Sequence, residues 1–132
     1  MAAPIYYDSE FPYLCLSLDD VGAEDIAMIP HWIEHLHQVP THKYYRLDLH
    51  SHHPFLAEII SVLVHCIPND PKLTYVRIKS THKKNYLTDS LLDALMRSIY
   101  QNRHDQGIIV EFCPKSRRSR ESHPTLKIEN NE

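Results

Sequence analysis

The residues best placed by type and spacing to do chemistry are His31, Glu34 and His35. Two histidines four positions apart lie one helical turn from each other. That separation lets both imidazoles bind one zinc ion while the intervening glutamate takes a proton from metal-bound water. A second group, His50, His52 and His53, follows Asp48. Imidazole must approach zinc to about 2.0–2.1 Å, and adjacent His52 and His53 cannot easily both turn toward one ion, so this group reads as turn and capping residues. Nucleophile chemistry has less support. Cys15, Cys66 and Cys113 form no C-x-x-C pair, and His65-Cys66 runs into Pro68 and Pro71 where a phosphate loop needs amide donors. No G-x-S-x-G elbow occurs.

The order His31-x-x-Glu34-His35 resembles the inverted zinc signature of the insulinase-type metallopeptidases. The resemblance implies a zinc-dependent hydrolase with His31, His35 and Glu111 as ligands and Glu34 as base. The surrounding sequence points elsewhere. On a helical wheel with Ile33 at zero and about 100° per residue, His31 and His35 fall near 160° and 200°, roughly opposite the apolar stripe of Trp32, Ile33 and Leu36. They are expected on a wet helix surface, with the zinc hydrolase as the alternative reading and no resident metal or cofactor otherwise expected.

The elements that would position any site follow from composition and periodicity. The chain has 132 residues, 42% of them hydrophobic, and a formal net charge of −3, which fits one domain. Only 2 glycines stand beside 9 prolines, too few for a Gly-rich nucleotide loop. The odd cysteine count and wide spacing suit reduced thiols in the cytoplasm, and no basic-then-apolar leader or spanning run is evident.

Four segments repeat one spacing of large residues: Tyr13, Leu16, Leu18; Tyr44, Leu47, Leu49; Leu73, Val76, Ile78; and Gly107, Val110, Phe112. Their middle positions lie 31, 29 and 34 residues apart. Read as strands with alternating faces, they gather Leu14, Leu16, Leu47, Leu49, Val76, Ile78, Val110 and Phe112 on one side. The opposite side collects polar residues. If the strands follow chain order, Ser17, Asp48, Arg77 and Glu111 form one row, and Asp19, His50, Lys79 and Cys113 another. Between the strands lie helical patterns. Leu56, Ile59, Ile60, Leu63, Val64 and Ile67 form one stripe, bounded by Pro54 and Pro68; Leu91, Leu92, Leu95 and Ile99 form another, with Thr88 as candidate N-cap.

The period and the LxL cores LCLSL (Leu14 to Leu18) and YRLDL (Tyr45 to Leu49) resemble leucine-rich repeats of the ribonuclease-inhibitor type. The match runs over roughly residues 12 to 114, and it lacks the family's asparagine ladder: Val21, His52, Thr81 and Lys115 stand there. The resemblance implies an α/β fold of four βα units, a parallel sheet with helices on one side and a strand face open for recognition. A two-layer α/β domain with another strand order is the rival. The expected organisation is one βα-repeat domain over residues 1–114 and a mobile polar tail over 115–132.

The expected function is protein–protein interaction rather than catalysis, through Arg46, Asp48, Tyr75, Arg77, Lys79 and Glu111, with another protein as partner. The chain is read as a monomer or weak edge-to-edge dimer without membrane contact. Nucleic-acid contact is expected only from the basic stretch Lys115 to Arg120. The polar, glutamate-bearing end loosely resembles the secretion signals of bacterial effectors exported by type IV machinery.

Overall fold

A computed structural model of the chain describes residues 3–9, 13–80, 85–102 and 107–113, with the backbone of 125–128. Six strands form one sheet: β1 (Ile5–Tyr7), β2 (Leu14–Ser17), β3 (Tyr45–His50), β4 (Leu73–Lys79), β5 (Ile108–Cys113) and β6 (Thr125–Ile128). They lie side by side in chain order. The pairs from β2 to β5 are parallel, while β1 and β6 join the two edges antiparallel. Three helices connect the parallel strands: α1 (Ile29–His37), α2 (Leu56–Cys66) and α3 (Asp89–Tyr100).

Each parallel step needs a crossover, and crossovers of one hand that all advance in the same direction leave their helices on the same face. The core has this form. Leu16, Leu47, Leu49, Val76, Ile78 and Val110 from the strands share one buried cluster with Trp32, Ile33, Leu36, Ile59, Ile60, Leu63, Leu95 and Ile99 from the helices. Among the described residues, helices cover the sheet on one side only.

Local chemistry explains the helix limits. Pro30 stands in the first turn of α1, where its missing N–H costs nothing, and the 3-10 turn Ala23–Met28 leads into it. α2 gives way to the 3-10 turn Ile67–Asn69 at Pro68. The side chain of Thr88 caps α3, its Oγ1 accepting the N–H of Leu91 at 3.2 Å.

The amino ends of β3 and β4 are held by a buried carboxylate. Asp70 accepts the N–H groups of Lys72 and Leu73 at 2.8 and 3.1 Å, the hydroxyl of buried Tyr45, and a contact from His37 Nε2 at 2.9 Å. Asn102, just past α3, donates to the carbonyls of Ile67 and Asp70 at 2.6 and 2.8 Å. These bonds satisfy buried backbone groups in the return from α2 to β4.

The arrangement is α/β with a mostly parallel sheet, but it departs from four βα units. Three strand–helix units are present among the described residues, and the strand that pairs with the far side of β5 is antiparallel β6. The N-terminal strand β1 carries no periodic apolar pattern and is set by what Tyr6 touches, described below. Of the expected tail, Thr125–Ile128 form β6, and residues 114–124 and 129–132 lie outside the described residues.

Burial predicts where truncation hurts. Ile59 in α2 is fully buried, so Ile59→Ala will lower unfolding free energy by about 2–5 kcal/mol in urea denaturation. Tyr100→Ala, at the exposed end of α3, will change it by no more than about 0.5 kcal/mol.

Candidate functional site

The face of the sheet away from the helices carries ordered rows of polar side chains. Ser17 pairs with Asp48, Asp48 with Arg77 and Arg77 with Glu111; one step on, His50 pairs with Lys79 and Lys79 with Cys113. A one-residue irregularity sets this register. Tyr45 is opposite Leu73 but Arg46 is opposite Tyr75, so Thr74 is the extra residue in β4. Without it, alternation would turn Leu73 or the pair Tyr75 and Arg77 to the wrong side.

Arg46 and Asp48, two residues apart on β3, point to the same face, and both are fully buried. The guanidinium grips the carboxylate with two bonds, Nε to Oδ1 at 2.8 Å and Nη2 to Oδ2 at 3.1 Å. Two N-terminal residues complete the enclosure. Tyr6 accepts from Arg46 Nη2 at 2.9 Å and donates to Asp48 Oδ2 at 2.8 Å, while Asp8 Oδ2 accepts from Nη1 at 2.9 Å. Burial alone would weaken the Arg46 charge, but the Asp48 hydrogen bonds outweigh it and raise the guanidinium pKa. Burial and the Asp48 carboxylate likewise raise the pKa of Tyr6.

The neighbouring half of the face is more accessible. Glu111 Oε1 accepts from both Tyr75 OH and Arg77 Nε at 2.9 Å. Lys79 Nζ lies 2.7 Å from Asp19 Oδ2 and 3.9 Å from Asp48 Oδ2. The side chains of Arg77 and Glu111 are each 18% exposed and that of Lys79 is 29% exposed. The structure thus brings all six residues expected at an interface onto one face. Arg46 and Asp48 form its closed foundation and do not present themselves to a partner, because β1 and Asp8 enclose them.

The alternative metal set is not brought together. His31, Glu34 and His35 lie on the exposed side of α1, in the helix layer, whereas Glu111 lies on the opposite face of the sheet. Among the described residues no three His, Cys, Asp or Glu side chains converge in a metal-holding group. The thiols of Cys15, Cys66 and Cys113 are separate, and burial pushes the pKa of each upward, away from nucleophilic use.

Sequence reasoning missed Tyr6 and Asp8. Their only signal was the charge of Arg46 at a strand position, which demands acceptors beyond Asp48. Comparison with protein-family models, curated proteins and solved structures finds no match to this chain. Among the described residues no helix is long and apolar enough to cross a membrane.

Two measurements test this geometry. Tyr6→Phe removes a hydroxyl bonded to both members of the buried pair and will cost about 1–3 kcal/mol of unfolding free energy. Burial and the bond to Glu111 push the Tyr75 pKa from 10.0 up to about 12, so folding favours its protonated form. That contribution is complete below pH 10.0 and is lost as pH rises toward about 12. Stability measured across this interval will fall, and less steeply in Tyr75→Phe.

Proposed function

We propose that the protein is a non-enzymatic interaction module, built from strand–helix repeats resembling the ribonuclease-inhibitor type of leucine-rich repeat, that binds another protein through its helix-free strand face. The observation that carries this reading is the one-sided sheet. All the helical core lies on one face, while the other holds charged side chains fixed in rows by mutual ion pairs. Fixed side chains bind with little loss of conformational freedom, and an ordered charged face selects partners by electrostatic complementarity. The contact residues are Arg77, Lys79 and Glu111 on β4 and β5, with Arg46, Asp48 and the buried Tyr75 holding the face in shape. The same reading places the module in the cytoplasm, where its thiols stay reduced.

The test compares baits in affinity purification from cells that make the protein. Wild type and Glu58→Lys, which changes an exposed residue of α2, will retain the same partner, and Arg77→Ala combined with Lys79→Ala will lose it. Equal retention by the strand-face variant, with loss on Glu58→Lys, would refute the assignment.

A further inference from the structure

The turn between β3 and α2 is held by backbone bonds, His53 N–H to His50 O and Leu56 N–H to His53 O at 3.1 Å, and by two imidazole rings acting as hydrogen-bond acceptors. His50 Nδ1 accepts the backbone N–H of His52 at 3.3 Å, and His53 Nδ1 accepts that of Phe55 at 3.0 Å. Each ring does at residue i what aspartate or asparagine does in an Asx turn, holding the N–H of residue i+2. A ring nitrogen that accepts carries no proton, so in the closed turn the proton of each neutral ring sits on Nε2. His53 Nε2 bonds the carbonyl of Val21 at 2.7 Å, fastening the turn to the loop after β2. On both rings the nitrogen open to a second proton is therefore Nδ1, the atom that holds the turn.

Charged groups from three elements surround His50. Lys79 is its partner in β4, Asp48 stands two residues before it on β3, and Asp19 and Asp20 follow β2. The His52 ring lies with its centroid 3.7 Å from that of His50, steeply inclined to it. The α2 side contributes the uncharged Phe55 ring, 6.0 Å from His53 between centroids. Burial, then His52 and Lys79, oppose a charge on His50, and Asp19 and Asp20 favour one; the balance holds its pKa below 6.5. The turn also anchors its surroundings. Ser51 N–H donates to Lys79 O at 2.8 Å, and Tyr86 N–H, ahead of α3, donates to Ser51 O at 2.6 Å. Beside it lies a shallow cleft of about 240 Å³ bordered by Asp19, His52, His53 and Phe55. The closed turn leaves His52 Nδ1 buried without a hydrogen-bond partner.

We propose that residues 50–55 are an acid-labile latch: proton uptake at Nδ1 of His50 turns this acceptor into a donor, releases the N–H of His52, and loosens the turn beside the cleft. The proton comes from solvent and no other bond is made. Because the folded chain holds His50 below 6.5, the unfolded chain takes the proton first. The His50 contribution to stability is complete above 6.5 and declines as pH falls below it. Loosening reaches the start of α3 through Ser51 and Tyr86.

The test follows the ring nitrogens and amide protection factors of the ¹⁵N-labelled full chain by NMR from about pH 7.5 to about pH 5. Expected at the upper limit are two neutral rings protonated on Nε2. On acidification the His52 amide loses protection with the midpoint of Nδ1 protonation at His50, while the amides within β3 and β4 keep theirs. His50→Asn offers an oxygen for the same N–H but takes no proton, so it will preserve protection at His52. Retained protection at His52 after the His50 ring protonates would overturn the proposal. So would an equal loss at His52 in His50→Asn, or a loss shared by β3 and β4. Should that variant fail to fold, the coincidence of ring and amide midpoints in the wild type decides.

Discussion

A guanidinium buried on the helix-free face of the sheet is the constraint around which this protein is arranged. An arginine out of water must be enclosed by acceptors, and Asp48 alone, though it binds with both oxygens, leaves donors on Arg46 to satisfy. Tyr6 and Asp8 meet that need, and in doing so they add side-chain bonds to a three-residue edge strand that also pairs with β2. A buried pair adds little stability over a well-packed apolar pair, but it penalises every register that takes its members away from Tyr6 and Asp8. Slipping β3 by one residue would put Arg46 into the apolar core, so the pair fixes which side of each strand meets the helices.

A second buried carboxylate does comparable work at the amino ends of β3 and β4, on the helix side of the sheet. Asp70 ties the start of β4 to Tyr45 and His37, and Asn102 ties the end of α3 to the same return. One anchor orders the uncovered face and the other orders the helix layer. Between them the sheet keeps its strands in chain order, which leaves the charged face of β4 and β5 without a helical cover. The module's proposed recognition surface is thus a consequence of topology, and its rigidity a consequence of the ion pairs that fill it.

Much of this was legible in the alternation of side chains. The rows Ser17, Asp48, Arg77, Glu111 and His50, Lys79, Cys113 follow from strand order and period, and the stripe of α2 and the Thr88 cap follow from helical spacing. The wheel of α1 placed His31 and His35 on the outer surface despite their zinc-like spacing. What escaped was structure specified by distant partners. Ile5–Tyr7 has no pattern of its own, and its place depends on a hydroxyl that reaches Arg46. Asp70 sits between Pro68 and Pro71 and reads locally as turn punctuation, although its carboxylate is the hub of the helix-to-strand return. The extra residue at Thr74 shows only as a three-residue step from Leu73 to Val76. β6 lies in a polar run whose composition resembles a tail, because an edge strand owes its existence to the neighbour it pairs with.

The most direct measurement is a double-mutant cycle on the buried pair, with Arg46→Met, Asp48→Leu and both together followed by urea denaturation. If the pair organises the face, each single substitution strands a buried charge and costs about 3–5 kcal/mol. The double variant will then cost less than the sum by about 1–3 kcal/mol. Costs that add to within about 0.5 kcal/mol would show that Arg46 and Asp48 act independently, and would contradict the dependence of the face on their contact.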